Sequence, residues 1–220
     1  MKLKAVLLGV ALSSSAGFAM ALTTLPGTHF TVTFDSSLQG LFGNPVLLAG
    51  DVLRWRPTNL IDRNVGLISS TATVTVTADA GYDLSGFSFA EAGQYMAWQR
   101  STGTFNVNAA GTLHVGPTLT SSVATGILVA PGNVTTLQTW GVLTGAAVPV
   151  ALNTHSVTVK LDQILFASKT GLAGAYVNLV TADVGITTHA AAPVPEPETY
   201  AMMLAGLGAL GFLARRRRQD

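Results

Sequence analysis

The stretch Thr71–Asp79, TATVTVTAD, alternates without a break. Ala72, Val74, Val76 and Ala78 fall on one side, and Thr71, Thr73, Thr75 and Thr77 on the other. A period of two puts successive side chains on opposite faces of a pleated backbone, so the segment is a strand with one apolar and one hydroxyl-bearing face. Two further segments repeat the pattern. Phe30, Val32 and Phe34 oppose Thr31 and Thr33, and Val157, Val159 and Leu161 oppose Ser156, Thr158, Lys160 and Asp162. Valine and threonine also suit a pleated, half-buried surface.

Less regular strands are expected over Val46–Arg56, Leu84–Ala90, Gln94–Arg100, Thr104–Asn108, Thr112–Val115, Val123–Val129, Thr135–Leu143 and Tyr176–Thr181. Turn residues separate many of them, as in FGNP, DAGYD and APGN. No long stretch of the body carries a helical stripe, and no repeat of fixed period is present. Short strands with frequent turns predict an all-β body over 22–190, an antiparallel sandwich or jelly roll.

Charged residues make up 10% of the 220-residue chain, against about 25% in ordinary soluble domains. Residues 22–192 hold six basic and eight acidic side chains, a net of −2, so the overall +1 comes from the two ends. A basic nucleic-acid-binding face is not expected on such a body. There is no cysteine, which excludes disulfides, thiol catalysis and zinc–thiolate sites.

The first 21 residues have Lys2 and Lys4, an apolar core over Ala5–Leu12 and the small-residue site Ala19-Met20-Ala21. That order is a secretory signal peptide, with cleavage after Ala21 leaving Leu22 as the new N-terminus.

The other end reads VPEPETYAMMLAGLGALGFLARRRRQD. Residues 191–199 are expected to be a linker, in which Pro195 and Pro197 push Val194 and Glu196 toward extended backbone. Tyr200–Ala214 carries no charge and is expected to be a transmembrane helix. At 1.5 Å per residue it spans about 22 Å, short of a hydrocarbon core of roughly 30 Å. Arg215, Arg216, Arg217 and Arg218, within the basic tail 215–220, would snorkel to the headgroups and stop the span. Carrying four such charges across 100 mV costs about 9 kcal/mol, so they stay on the cytoplasmic side and the body lies outside.

Val194-Pro195-Glu196-Pro197, a short glycine-containing apolar helix and a terminal arginine cluster together resemble the PEP-CTERM sorting signal. The resemblance implies an exported protein of a Gram-negative bacterium that makes extracellular polysaccharide. It implies insertion in the inner membrane through the tail, then recognition near Pro-Glu-Pro by an exosortase, an integral-membrane cysteine protease or transpeptidase. The body segments ADAGYDLSGFSFAEAGQY and VTVKLDQILFAS are similar to parts of β-rich bodies that carry this tail, which implies a sandwich and no known chemistry.

Within the body, Asp79, Asp83 and Glu91 form the densest acidic group and could offer oxygens to Ca²⁺, although turn aspartates more often bond their own backbone. Any two of Asp51, Asp62, Asp79, Asp83 and Glu91 would suit a glycosidase only if folding brought them about 5–10 Å apart. His29, His114, His155 and His189 are dispersed without metal-ligand spacing, and His189 is expected in the linker, solvated. No serine-hydrolase elbow or phosphate-binding glycine loop occurs. Trp55, Trp98 and Trp140, with Tyr82 and Tyr95, could stack on sugars or fill the core. The expectation is a non-catalytic surface or matrix protein with no metal or other cofactor and extracellular polysaccharide as a partner. A glycan-binding module, or a secreted glycoside hydrolase, is the alternative.

Overall fold

The computed structural model describes residues 22–63, 66–99, 103–125, 134–144, 147–192 and 197–216. The expected signal peptide with Ala19 and Ala21 lies outside them, as do Val194, Pro195, Glu196, Arg217 and Arg218. The strands are, in order, β1 (Leu22–Pro26), β2 (Phe30–Asp35), β3 (Val46–Leu48), β4 (Val52–Trp55), β5 (Ile61–Arg63), β6 (Ile68–Ala78) and β7 (Tyr82–Gln99). They continue as β8 (Phe105–Val115), β9 (Leu119–Thr125), β10 (Val134–Thr144), β11 (Val148–Thr154), β12 (Ser156–Lys169) and β13 (Ala173–Ala190), followed by helix α1 (Pro197–Arg216).

Two sheets result. The first runs β1-β2-β6-β12-β8-β9. The second runs β10-β7-β13-β4-β3, with β11 also on β7 and β5 also on β13. Every pairing is antiparallel, and the inner faces share one hydrophobic core, so the body is the expected antiparallel sandwich.

The threonine–valine alternation builds the first sheet. Val32, Val76 and Val157 align across β2, β6 and β12, as do Val74 and Val159 on β6 and β12. Phe30, Val32, Val74, Val76, Val159 and Leu161 are buried. Burying each such side chain contributes about 1.5–3 kcal/mol, and a one-residue slip would expose the whole row. The opposite face carries Thr31 beside Thr77, Thr33 beside Thr75, and Thr75 beside Thr158.

Four expected strand assignments change. Val46–Arg56 is a hairpin, not one strand, because Gly50 and Asp51 both take positive φ (79° and 59°) and turn the chain. Asp51 Oδ1 then accepts from Thr28 N at 3.0 Å and Thr28 Oγ1 at 2.8 Å, tying this turn to the β1–β2 turn. The paired segments 84–90 and 94–100 merge into β7, and 104–108 and 112–115 merge into β8. Tyr176–Thr181 is only the middle of β13. Its inward positions are odd up to Leu179 and even from Ala182, with a bulge between Leu179 and Thr181. The extra residue breaks the period that sequence reading depends on. His189 is consequently in β13 opposite Asp83, not in a linker.

β11 was not anticipated, since Pro149 argues against a strand. It pairs with β7 alone among the described strands, and an edge position tolerates a missing N–H.

Candidate functional site

The acidic group does not converge. Asp79 sits in the β6–β7 turn, where its carbonyl accepts from Tyr82 N at 3.0 Å. Asp83 and Glu91 are eight residues apart on the continuous strand β7, about 26 Å at roughly 3.3 Å per residue. Glu91 therefore cannot share a Ca²⁺ with Asp83. Among the described residues no three His, Asp or Glu side chains are placed to hold a metal ion.

Glu91 instead points between the sheets and is 2% exposed. Its carboxyl lies over Gly111 of β8, where a β-carbon would collide with it. Gln163 of β12 is fully buried, and its amide end lies 2.9 and 2.5 Å from the two Glu91 oxygens. Burial pushes the carboxyl up to about 8, so it is neutral at pH 7. This pair was missed. The available signal was parity, since continuing the alternation of β12 past Leu161 turns Gln163 inward. Other carboxylates are used separately: Asp51 by Thr28, and Asp62 by Ala167 N at 2.7 Å.

A second buried amide was missed as well. Gln39 Nε2 donates to the carbonyls of Asp35 and Thr73 at 3.1 and 2.7 Å, and Gln39 Oε1 accepts from Trp55 Nε1 at 3.1 Å. One side chain thus links the corner after β2 to a strand of each sheet.

That contact corrects the sugar-stacking expectation for Trp55, which is 1% exposed and packs edge-on against Phe42. Trp140 is also buried. Its indole covers Gly93 of the neighbouring strand and donates to Asn178 O at 3.1 Å. Both are core residues because a tryptophan that finds an N–H acceptor is worth more inside than out. Only Trp98 lies on an outer face, half-buried over Gly174 of β13. Tyr176 is its diagonal neighbour there, with the Arg63 guanidinium 5.6 Å from the ring centre. Tyr82 stacks on His29 at 3.8 Å.

The outer face of the first sheet carries one charged cluster. Asp162 accepts from Thr71 Oγ1 at 2.6 Å and Lys160 Nζ at 2.8 Å, with His114 Nε2 at 3.0 Å. Partial burial raises its carboxyl, but the Lys160 and Thr71 hydrogen bonds and the nearby charges outweigh this and hold it below the usual range. A 460 Å³ open groove beside it, between Ser37–Leu41 and Ser69–Thr73, is lined by hydroxyls and two leucines without a charged side chain.

Helix α1 begins at Pro197, inside the expected linker, and runs into the arginine cluster at Arg216. Proline suits the first turn of a helix, where its missing N–H has no partner to lose. Residues 201–210 are all exposed, with Met202 at 74% and Leu204 at 65%. Among the described residues no helix is long and apolar enough to cross a membrane.

Fold and tail together define an exported β-sandwich with a C-terminal sorting segment. The segment is a PEP-CTERM protein-sorting motif, matched by its family profile over residues 193–218. The chain is thereby an exported protein sorted through exosortase. No curated protein matches it. Among solved structures, a chain from the structure of infectious bursal disease virus, Gx strain, is 13% identical over 83% of this chain. This chain spans 58% of that one, and the TM-score of 0.21 carries no argument about fold or function.

Proposed function

We propose that the protein is a non-catalytic surface or matrix component of a Gram-negative bacterium. It is held in the inner membrane by its tail, cut by exosortase near Pro195-Glu196-Pro197, and then associated with extracellular polysaccharide. The observation that carries this reading is helix α1, whose apolar side chains over 201–210 are exposed between the Pro-Glu-Pro segment and the arginines. A helix that does not pack on its own body needs another apolar medium. Its uncharged stretch is short for a bilayer, so Arg215 to Arg218 lengthen the effective span by reaching the headgroups. The threonine rows on the first sheet suit a hydrated polymer, because hydroxyls exchange hydrogen bonds with water and sugar at little cost.

The test is the intact mass of the protein from cells and from medium. Loss of the leader and of the helix with its arginines is expected in the outer fraction. A full-length C-terminus in outer material refutes the reading.

Glycan binding has one specific support, the outer-face group of Trp98, Tyr176 and Arg63. Trp98→Ala reads it out. Loss of co-sedimentation with the host polysaccharide favours a binding module, and unchanged co-sedimentation favours the plain matrix role.

A further inference from the structure

Leu22, the residue that cleavage after Ala21 makes the N-terminus, is the first described residue of β1. It is an edge strand with four of five residues exposed, so little apolar contact holds it. Leu22 sits directly opposite Asp35 of β2. Asp35 is 9% exposed. Its Oδ1 accepts from Ser37 N at 2.8 Å, while Oδ2 is buried and has no hydrogen-bond partner. A buried carboxylate oxygen without a donor is costly, and native folds rarely leave one. Asp35 and Leu22 line the same 150 Å³ cavity, and no other titratable side chain lines it.

In the precursor the Leu22 nitrogen is an uncharged amide with one hydrogen. Hydrolysis of the Ala21–Leu22 bond gives water's hydroxyl to the Ala21 carbonyl and a proton to the Leu22 nitrogen, which takes a second proton from solvent. The product is an ammonium with three donors, as a lysine carries. We propose that Asp35 is the receptor for this new N-terminus: its free oxygen pairs with the Leu22 ammonium once the leader has gone and fastens the start of a strand already paired with β2. The inference rests on the leader reading, and the test separates the two.

Intact mass and N-terminal sequencing of the exported protein establish whether Leu22 is first. The rate at which an amine-reactive acylating reagent modifies the Leu22 amine is then followed against pH. Pairing raises the amine pKa by about one unit above the ordinary 7.7–8.0, so acylation at pH 8 is about four- to five-fold slower than in Asp35→Asn. Asparagine keeps the Oδ1 acceptor for Ser37 N. A second variant with one alanine inserted before Leu22 leaves Asp35 untouched and is expected to react at the unpaired rate. An N-terminus elsewhere than Leu22 overturns the leader reading and the pairing with it. Leu22 as N-terminus with equal rates in wild type and both variants overturns the pairing alone.

Discussion

Glu91 of one sheet rests its carboxyl on the bare backbone of Gly111 in the other, and only a glycine there leaves room for it. This contact places a polar pair between the two sheets, and two of the following expectations test it.

Glu91→Gln removes the proton equilibrium and keeps the shape. The folded carboxyl holds its proton to about 8, against 4.5 when exposed. Between those values the folded state binds more protons than the unfolded one, so stability falls as pH rises. The contribution is whole below about pH 4.5 and gone above about 8, on the order of 5 kcal/mol across the window. Urea midpoints at pH 5, 7 and 9 are expected to drop for wild type relative to Glu91→Gln. Parallel midpoints at all three values would contradict a neutral buried carboxyl.

Gly111→Ala forces a methyl into the Glu91 carboxyl, an overpacking cost of about 1–3 kcal/mol. In a Glu91→Ala background the collision partner is gone, and the cost is expected to shrink to a fraction of that. A double-mutant cycle of thermal melts measures the coupling, and additive effects would show that the contact is not what requires the glycine.

Gln39→Leu removes the partner of two buried groups, the Asp35 carbonyl and the Trp55 indole N–H, and of the part-buried Thr73 carbonyl. At about 1–3 kcal/mol for an unsatisfied buried group, a loss of about 3 kcal/mol is expected, visible in denaturant titration followed by Trp fluorescence. A loss below about 1 kcal/mol would mean that water replaces the amide.

Replacing Arg215 to Arg218 by glutamine removes the charges that resist translocation. Precursor is expected to leave the membrane fraction unprocessed, read by fractionation and mass. Normal processing of the glutamine variant would assign recognition to the Pro-Glu-Pro segment alone.

Much of the fold was legible. The alternation in 30–34, 71–79 and 155–162 located β2, β6 and β12 because those strands keep one register throughout and bury one face. β13 was half hidden because its bulge reverses the inward parity, and β11 was hidden by Pro149. The tail motif was fully legible, since order along the chain is all that such a signal needs.

The sandwich sites were less so. Trp55, Trp98 and Trp140 are equivalent as letters, yet two fill the core and one lies outside, because strand pairing and sheet stacking decide which face of each strand turns inward. Residue order by itself determined the strand period and the sorting motif, both of which are local. The meeting of Glu91 with Gly111 and Gln163, and of Leu22 with Asp35, was decided by tertiary structure alone, because strands distant in the chain become neighbours only when the sheets pair and stack.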